Sequence, residues 1–236
     1  MAGLPTCPSC AERFRHYPFP PWIKMAMAGL AVLVVFSFIS NYRYFAGYVE
    51  TRKAMAVMRN GELERAQILM ASAVRRVPES AELGALHSFC SALILMKEDK
   101  PAEALPLLRT CKNFFQDPQF DPLILQAEAG AAFDAGEYDT FLAKEELLYK
   151  QTPDVPYAMA GLASAYACKY AKTGREDYKQ KSLDLLKQAK EKSPPGDAEY
   201  AEYRMRIMYR LTSKEIVSRK EFYKRFPKGW MEGDRP

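Results

Sequence analysis

A glycine and a proline standing 17 residues apart, twice over, constrain this chain more than any other feature in it: Gly61-Glu62-Leu63 leads to Pro78, and Gly136-Glu137-Tyr138 leads to Pro153. Between Gly61 and Pro78 the small or apolar residues Ala66, Met70 and Ala73 fall at helical spacing. The stretch beginning at Asp99 repeats the frame without the proline and carries Ala104, Leu108 and Cys111 in the same places; the stretch from Asp177 to Pro194 carries Ser182, Leu186 and Ala189. Ala54, Ala92 and Ala129 each sit seven residues before a turn. A glycine relieves the turn, small residues let helices approach closely, a larger one fills the gap between them, and a proline stops the helix. Such a spacing code predicts stacked helix pairs.

The windows between the turns are rich in Ala, Leu, Met and Glu, and no stretch alternates as a strand would. The predicted class is all-α. With 236 residues, 48% of them hydrophobic and 27% charged, the chain has material for a packed core and is not of disordered composition. Helix pairs with a period of this length cannot bury their apolar faces alone and must stack on neighbours.

In these residues the chain resembles the tetratricopeptide repeat family of helix-turn-helix solenoids. The resemblance covers residues 47–196 and implies about four repeats, with residues 197–236 forming basic C-terminal capping helices. Phe141 and Glu145 depart from the family pattern in the third unit, standing where a small and a bulky apolar residue are expected. In the fourth unit Ala163 and Tyr166 fit the pattern, but about seven extra residues precede the turn at Asp177, which predicts a first helix that overhangs the stack by about two turns. Beyond it, Asp197 is a predicted N-cap, with Tyr200, Tyr203, Ile207 and Leu211 on one face of the helix that follows. Thr212 and Glu215 suggest a capping box for a last helix that Pro227 ends.

Ahead of the repeats, "WIKMAMAGLAVLVVFSFIS", residues 22–40, is apolar except for Lys24. At about 1.5 Å per residue it reaches roughly 28 Å, close to the hydrocarbon thickness of a bilayer. Trp22 on one side and Tyr42, Tyr44, Phe45 and Tyr48 on the other suit the two interfaces. The reading is one transmembrane helix over residues 22–45, preceded by a tail of residues 1–21. A signal peptide would carry a shorter apolar core and a small-residue cleavage site in place of these aromatics. Arg13, Arg15 and Lys24 on one side nearly balance Arg43, Arg52, Lys53 and Arg59 on the other, so charge does not decide orientation. The short tail with Lys24 at its edge leans toward an exported C-terminal domain.

Chemistry is harder to find. Cys7 and Cys10 form a CPSC pair in the tail, and with His16 they would supply three ligands to a zinc ion, one short of a tetrahedral structural site. The other readings of the pair are a redox couple, for which no βαβ setting exists, or two unengaged thiols. Cys90, Cys111 and Cys168 read as small apolar packing residues. His87 lies in a repeat helix without a motif around it, and no phosphate-cradling glycine loop occurs. Acid pairs such as Glu145-Glu146 and Glu176-Asp177 read as solvated positions. No cofactor other than zinc in the tail, no small-molecule substrate and no catalytic group suggests itself, and the chain does not read as an enzyme.

Net charge is +5 overall, and residues 151–236 account for the basic excess. Nine basic residues between Arg204 and Lys228 face only Glu215 and Glu221; they read as the solvated face of a cap, or as a surface for an acidic partner or anionic headgroups. Nucleic acid is excluded as a partner for want of any recognised module. In the family that the chain resembles, the first helix of each pair lines a concave groove. That frame places Thr51, Met55, Met58, Phe89, Leu93, Met96, Gln126 and Phe133 on it, and not the Lys and Asn with which some members hold a peptide's terminal carboxylate. An apolar groove of this kind suits a protein partner, unless the segment from Tyr200 to Phe226 covers it. The functional expectation is a membrane-anchored scaffold or adaptor, with a metal-binding or thiol-sensing membrane protein as the alternative.

Overall fold

A computed structural model describes Cys7, Ser9, Glu12 and residues 20–231. Ten helices run through the continuous stretch: α1 (Pro21–Arg59), α2 (Leu63–Arg76), α3 (Ala81–Lys97), α4 (Pro101–Phe115), α5 (Phe120–Asp134), α6 (Tyr138–Gln151), α7 (Pro156–Thr173), α8 (Glu176–Lys192), α9 (Ala198–Ser213) and α10 (Arg219–Arg225). No strand occurs among the described residues. From α1 to α8 each helix packs on the next, and α9 then lies chiefly against α7 and only lightly against α8.

The sequence dictates these boundaries locally. Pro21, Pro101 and Pro156 open α1, α4 and α7, where the missing N–H would have had no intrahelical partner. Ser80 caps α3 by accepting from the Leu83 N–H at 3.3 Å, and Asp197 caps α9 by accepting from the Tyr200 N–H at 3.0 Å. The turns of the first four helix pairs hold Gly61, Asp99, Gly136 and Gly174 in the left-handed region, at φ of 82°, 58°, 75° and 71°. Asp99 tolerates that conformation better than a branched residue would.

The second helices carry the core at one recurring spacing. Ala66, Met70 and Ala73 of α2 are buried, as are Ala104, Leu108 and Cys111 of α4, Phe141, Glu145 and Leu148 of α6, and Ser182, Leu186 and Ala189 of α8. Ala54, Ala92 and Ala129 face them with no exposed surface. Phe141 and Glu145, the two departures from the repeat pattern, are thus accommodated inside. Gly161 of α7 makes room for the second of them, since a Cβ there would lie 2.3 Å from the Glu145 Oε2. Ion pairs tie the outer surfaces of neighbouring helices together, with Glu128 of α5 accepting from Arg109 of α4 at 2.8 Å and from Lys144 of α6 at 2.5 Å.

Two expectations require correction. The fourth pair does not overhang on one side: α7 has 18 residues against 15 in α5, and α8 has 17 against 14 in α6. Both partners lengthen by about one turn, so the hairpin stays matched and its turn moves outward to Gly174. Nor do Thr212 and Glu215 cap the last helix. α9 runs on to Ser213 and ends on Lys214 in the left-handed conformation, while Ser218 caps α10 by accepting from the Glu221 N–H at 3.2 Å. Ser-Arg-Lys-Glu at 218–221 meets the same capping-box pattern, and it wins because Ile207, Tyr209 and Leu211 hold α9 in the core through its last turn.

α1 is one unbroken helix of 39 residues, roughly 58 Å long. Its first part is long and apolar enough to cross a membrane, and its apolar window is not buried among the described residues: Phe38 is 77% exposed and Trp22 66%. Its last part, with Gly47 and Ala54 buried, is the first helix of the packed body. At the junction the Tyr44 hydroxyl donates to Glu79 at 2.6 Å, Arg43 pairs with Glu79 at 2.7 Å, and Arg76 pairs with Glu50 at 3.0 Å.

Candidate functional site

The inner ends of α3, α5 and α7 face α9 and α10 across a cleft of about 620 Å³. Its position follows from the C-terminal segment. Ile207 and Leu211 of α9 pack into the cluster formed by Met159, Leu162, Leu185 and Leu186, which fixes α9 against α7. Tyr209, Phe222, Phe226 and Trp230 then form an aromatic cluster that folds α10 back along α9. Arg219 of α10 closes one end of the opening by pairing with Glu202 at 2.6 Å and Asp99 at 3.5 Å.

Of the residues expected on a groove, the structure brings Met96, Gln126 and Phe133 together in this cleft. Met55 and Met58 instead pack against the cluster of Ala54, Ala66, Met70 and Cys90. Phe89 packs edge-on against Phe120, with ring centroids 5.4 Å apart, in the cluster around Ala92 and Leu108. Thr51 and Leu93 are half-buried outside the cleft lining, and the Thr51 hydroxyl donates to its own helix at the Gly47 carbonyl. The segment from Tyr200 to Phe226 roofs the cleft without filling it.

The interior of the cleft is polar as well as aromatic. The Gln126 Nε2 donates to the Tyr157 hydroxyl at 2.6 Å, and that hydroxyl shares a hydrogen bond with the Tyr203 hydroxyl at 2.9 Å. Burial, then the neighbouring Tyr203, holds the Tyr157 phenol well above its usual range. Burial alone pushes the Glu145 carboxyl up to about 8, so this side chain is neutral at pH 7, with its Oε2 lacking a hydrogen-bond partner. Asp134 at the rim is also raised, by burial and then by the nearby Asp99.

Arg210 is the most enclosed charged side chain among the described residues, with 3% of its surface exposed. Its Nη1 donates to the Ser164 hydroxyl at 2.5 Å and its guanidinium stacks over the Phe133 ring at 4.9 Å. Its Nε has no partner, and burial lowers its pKa. Two sequence readings are overturned here. Glu145 is not a solvated position but a buried acid, although Glu176 and Asp177 are exposed as expected. Arg206 and Arg210 do not belong to a solvated basic face; with Tyr203 they turn inward. Their spacing offered a signal, since residues 203, 206 and 210 lie beside the apolar stripe of Tyr200, Ile207 and Leu211.

In the N-terminal tail, Cys10 and His16 lie outside the described residues, while Cys7 is exposed with its Sγ 3.1 Å from the Ser9 hydroxyl. Among the described residues no group of three or more His, Cys, Asp or Glu could hold a metal ion. Cys90, Cys111 and Cys168 are buried with pKa values raised by burial, as packing residues would be. No family model, curated protein or solved structure matches this chain.

Proposed function

We propose that the protein is a single-span, membrane-anchored adaptor of the tetratricopeptide type, in which residues 22–45 cross the bilayer, about four helix-pair repeats follow, and the cleft under α9 and α10 holds a segment of a partner protein. The observation that carries this reading is the cleft itself: a pre-formed recess lined by Met96 and Phe133 and by a ready hydrogen-bond chain through Gln126, Tyr157 and Tyr203. Pockets of a few hundred cubic ångströms with few, well-placed polar groups are the usual form of a binding site. The membrane part is supported by the exposed apolar length of α1, and the repeat part by the recurrence of buried positions in α2, α4, α6 and α8. Lys24 at the opposite edge of the span is consistent with the repeat domain on the exported side.

A photo-crosslinking residue placed at Met96 or at Lys220 tests the reading in native membranes. Adducts to a defined partner are expected from these two cleft positions and not from Ile68, which is 67% exposed on α2 and away from the cleft. Equal labelling from all three positions removes the cleft from the proposal.

A further inference from the structure

The cleft holds a buried cation, Arg210, with no carboxylate partner among the described residues. Each of the other arginines lining it faces a carboxylate: Arg219 pairs with Glu202 and Asp99, and Arg206 stands 3.9 Å from Glu202. Arg210 has no carboxylate within ion-pair distance among the described residues, although it is the deepest of the three. The acidic groups whose charge reaches it are the Cys168 thiol and the phenols of Tyr203 and Tyr138. Burial raises the pKa of Cys168 and of Tyr138, so neither supplies an anion at neutral pH. Glu145, the enclosed carboxyl of the cleft, is neutral too. A buried charge is normally paired, and a guanidinium with a free Nε presents the fork that suits a planar oxyanion.

We infer that the cleft is a binding site for a monocarboxylate with an apolar or aromatic body, its carboxylate paired with Arg210 and its body lying against Phe133 and Met96. The lining carries Glu98, Asp99 and Asp134 beside Lys100, Arg206, Arg219 and Lys220. Lys100 and Arg219 are closed on carboxylates, so the enclosed charge left for a ligand is that of Arg210, which one carboxylate matches. Tyr157, already bonded to Gln126 and Tyr203, offers the polar contact for the far side of the ligand. The inference rests on the same cleft as the reading above but does not require the occupant to be a protein: the carboxylate can belong to a free organic acid or to a peptide.

Calorimetric titration of the full-length protein in mild detergent distinguishes these cases. The probes are benzoate and hexanoate, a short apolar peptide with a free C-terminal carboxylate, the primary amide of each, and inorganic phosphate. Binding of the free acids assigns the site to small molecules, and binding of the peptide alone assigns it to a chain terminus. In either case conversion to the amide, or Arg210→Met, weakens binding by roughly tenfold or more, the value of a charge-assisted hydrogen bond, while Lys187→Met on the exposed face of α8 leaves it unchanged. Because Arg210 has no carboxylate to lose, Arg210→Met is expected to keep or raise the melting temperature. If that variant fails to fold, the acid-to-amide comparison on the wild-type protein decides alone. Equal affinity for acid and amide, stronger binding of phosphate than of carboxylate, or no binding of any acid overturns the inference.

Discussion

Glu145 is a carboxyl group enclosed among helices, and its cost depends on pH. Its folded-state pKa is about 8 against an ordinary value of 4.5. Below the ordinary value both the folded and the unfolded chain carry the proton, and stability is complete. As pH rises from there toward 8 the unfolded chain loses the proton while the folded one keeps it, so stability falls, and it levels off once the folded state ionises too. Tyr157 is the neighbouring acid that feels this ionisation. Glu145→Gln keeps the shape and removes the proton. The melting temperature of the variant is expected to lose most of the wild type's decline between pH 5 and 8.5 and to exceed it at the upper end; parallel profiles for the two proteins would show that Glu145 is solvated. Nothing in the sequence around Glu145 distinguishes it from its neighbour Glu146, which is half-buried and accepts from the Tyr166 hydroxyl at 3.1 Å. What marks it is Gly161, 16 positions away in sequence and in contact only once the two helices have packed.

At the scale of helices, the small residues do their work by being small, and the contacts differ in how far they can yield. A Cβ at Gly130 of α5 would stand 2.9 Å from two ring carbons of Pro101 on α4, a partner with no rotamer to escape into. Gly130→Ala is therefore expected to destabilise the fold by about 1–3 kcal/mol through overpacking, as is Ala66→Leu at a fully buried position of α2. Gly29→Ala, with nothing within 4 Å, is expected to change the melting temperature by less than the error of the measurement. Phe89→Ser is expected to cost about 2 kcal/mol, because the part-buried ring packs on Phe120 and on the cluster around Ala92 and Leu108. Thermal denaturation of the four variants ranks them. The small-residue positions were legible because their spacing recurs; Ala66, Ala104 and Ala129 could be placed by counting from a turn. The cleft was not legible. It depends on where α9 and α10 come to rest, and that is set by side-chain shape in the aromatic cluster of Tyr209, Phe222, Phe226 and Trp230, which has no periodicity to read.

For the molecule as a whole, the apolar part of α1 and the packed body make opposite demands on solvent. If residues 22–45 lie in a bilayer, as proposed, the protein stays with the membrane through high-salt and carbonate washing, since burial of apolar surface is not screened by salt. Release by either wash contradicts the anchor. A fragment of residues 46–236 is expected to remain helical and monodisperse without detergent, because Gly47 and Ala54 still close the first pair; aggregation would show that the body has a second apolar surface. The unbroken course of α1 from Pro21 to Arg59 makes the anchor and the body a single crankshaft. Adding one residue near Tyr42 would swing everything beyond it by about 100° around the helix axis while moving it only about 1.5 Å along that axis. If α1 spans as proposed, the compass bearing of the cleft along the plane of the bilayer is written into the number of residues between the span and Gly47, and a change of four there turns the body a little past a full circle, whereas a change of two points it the opposite way.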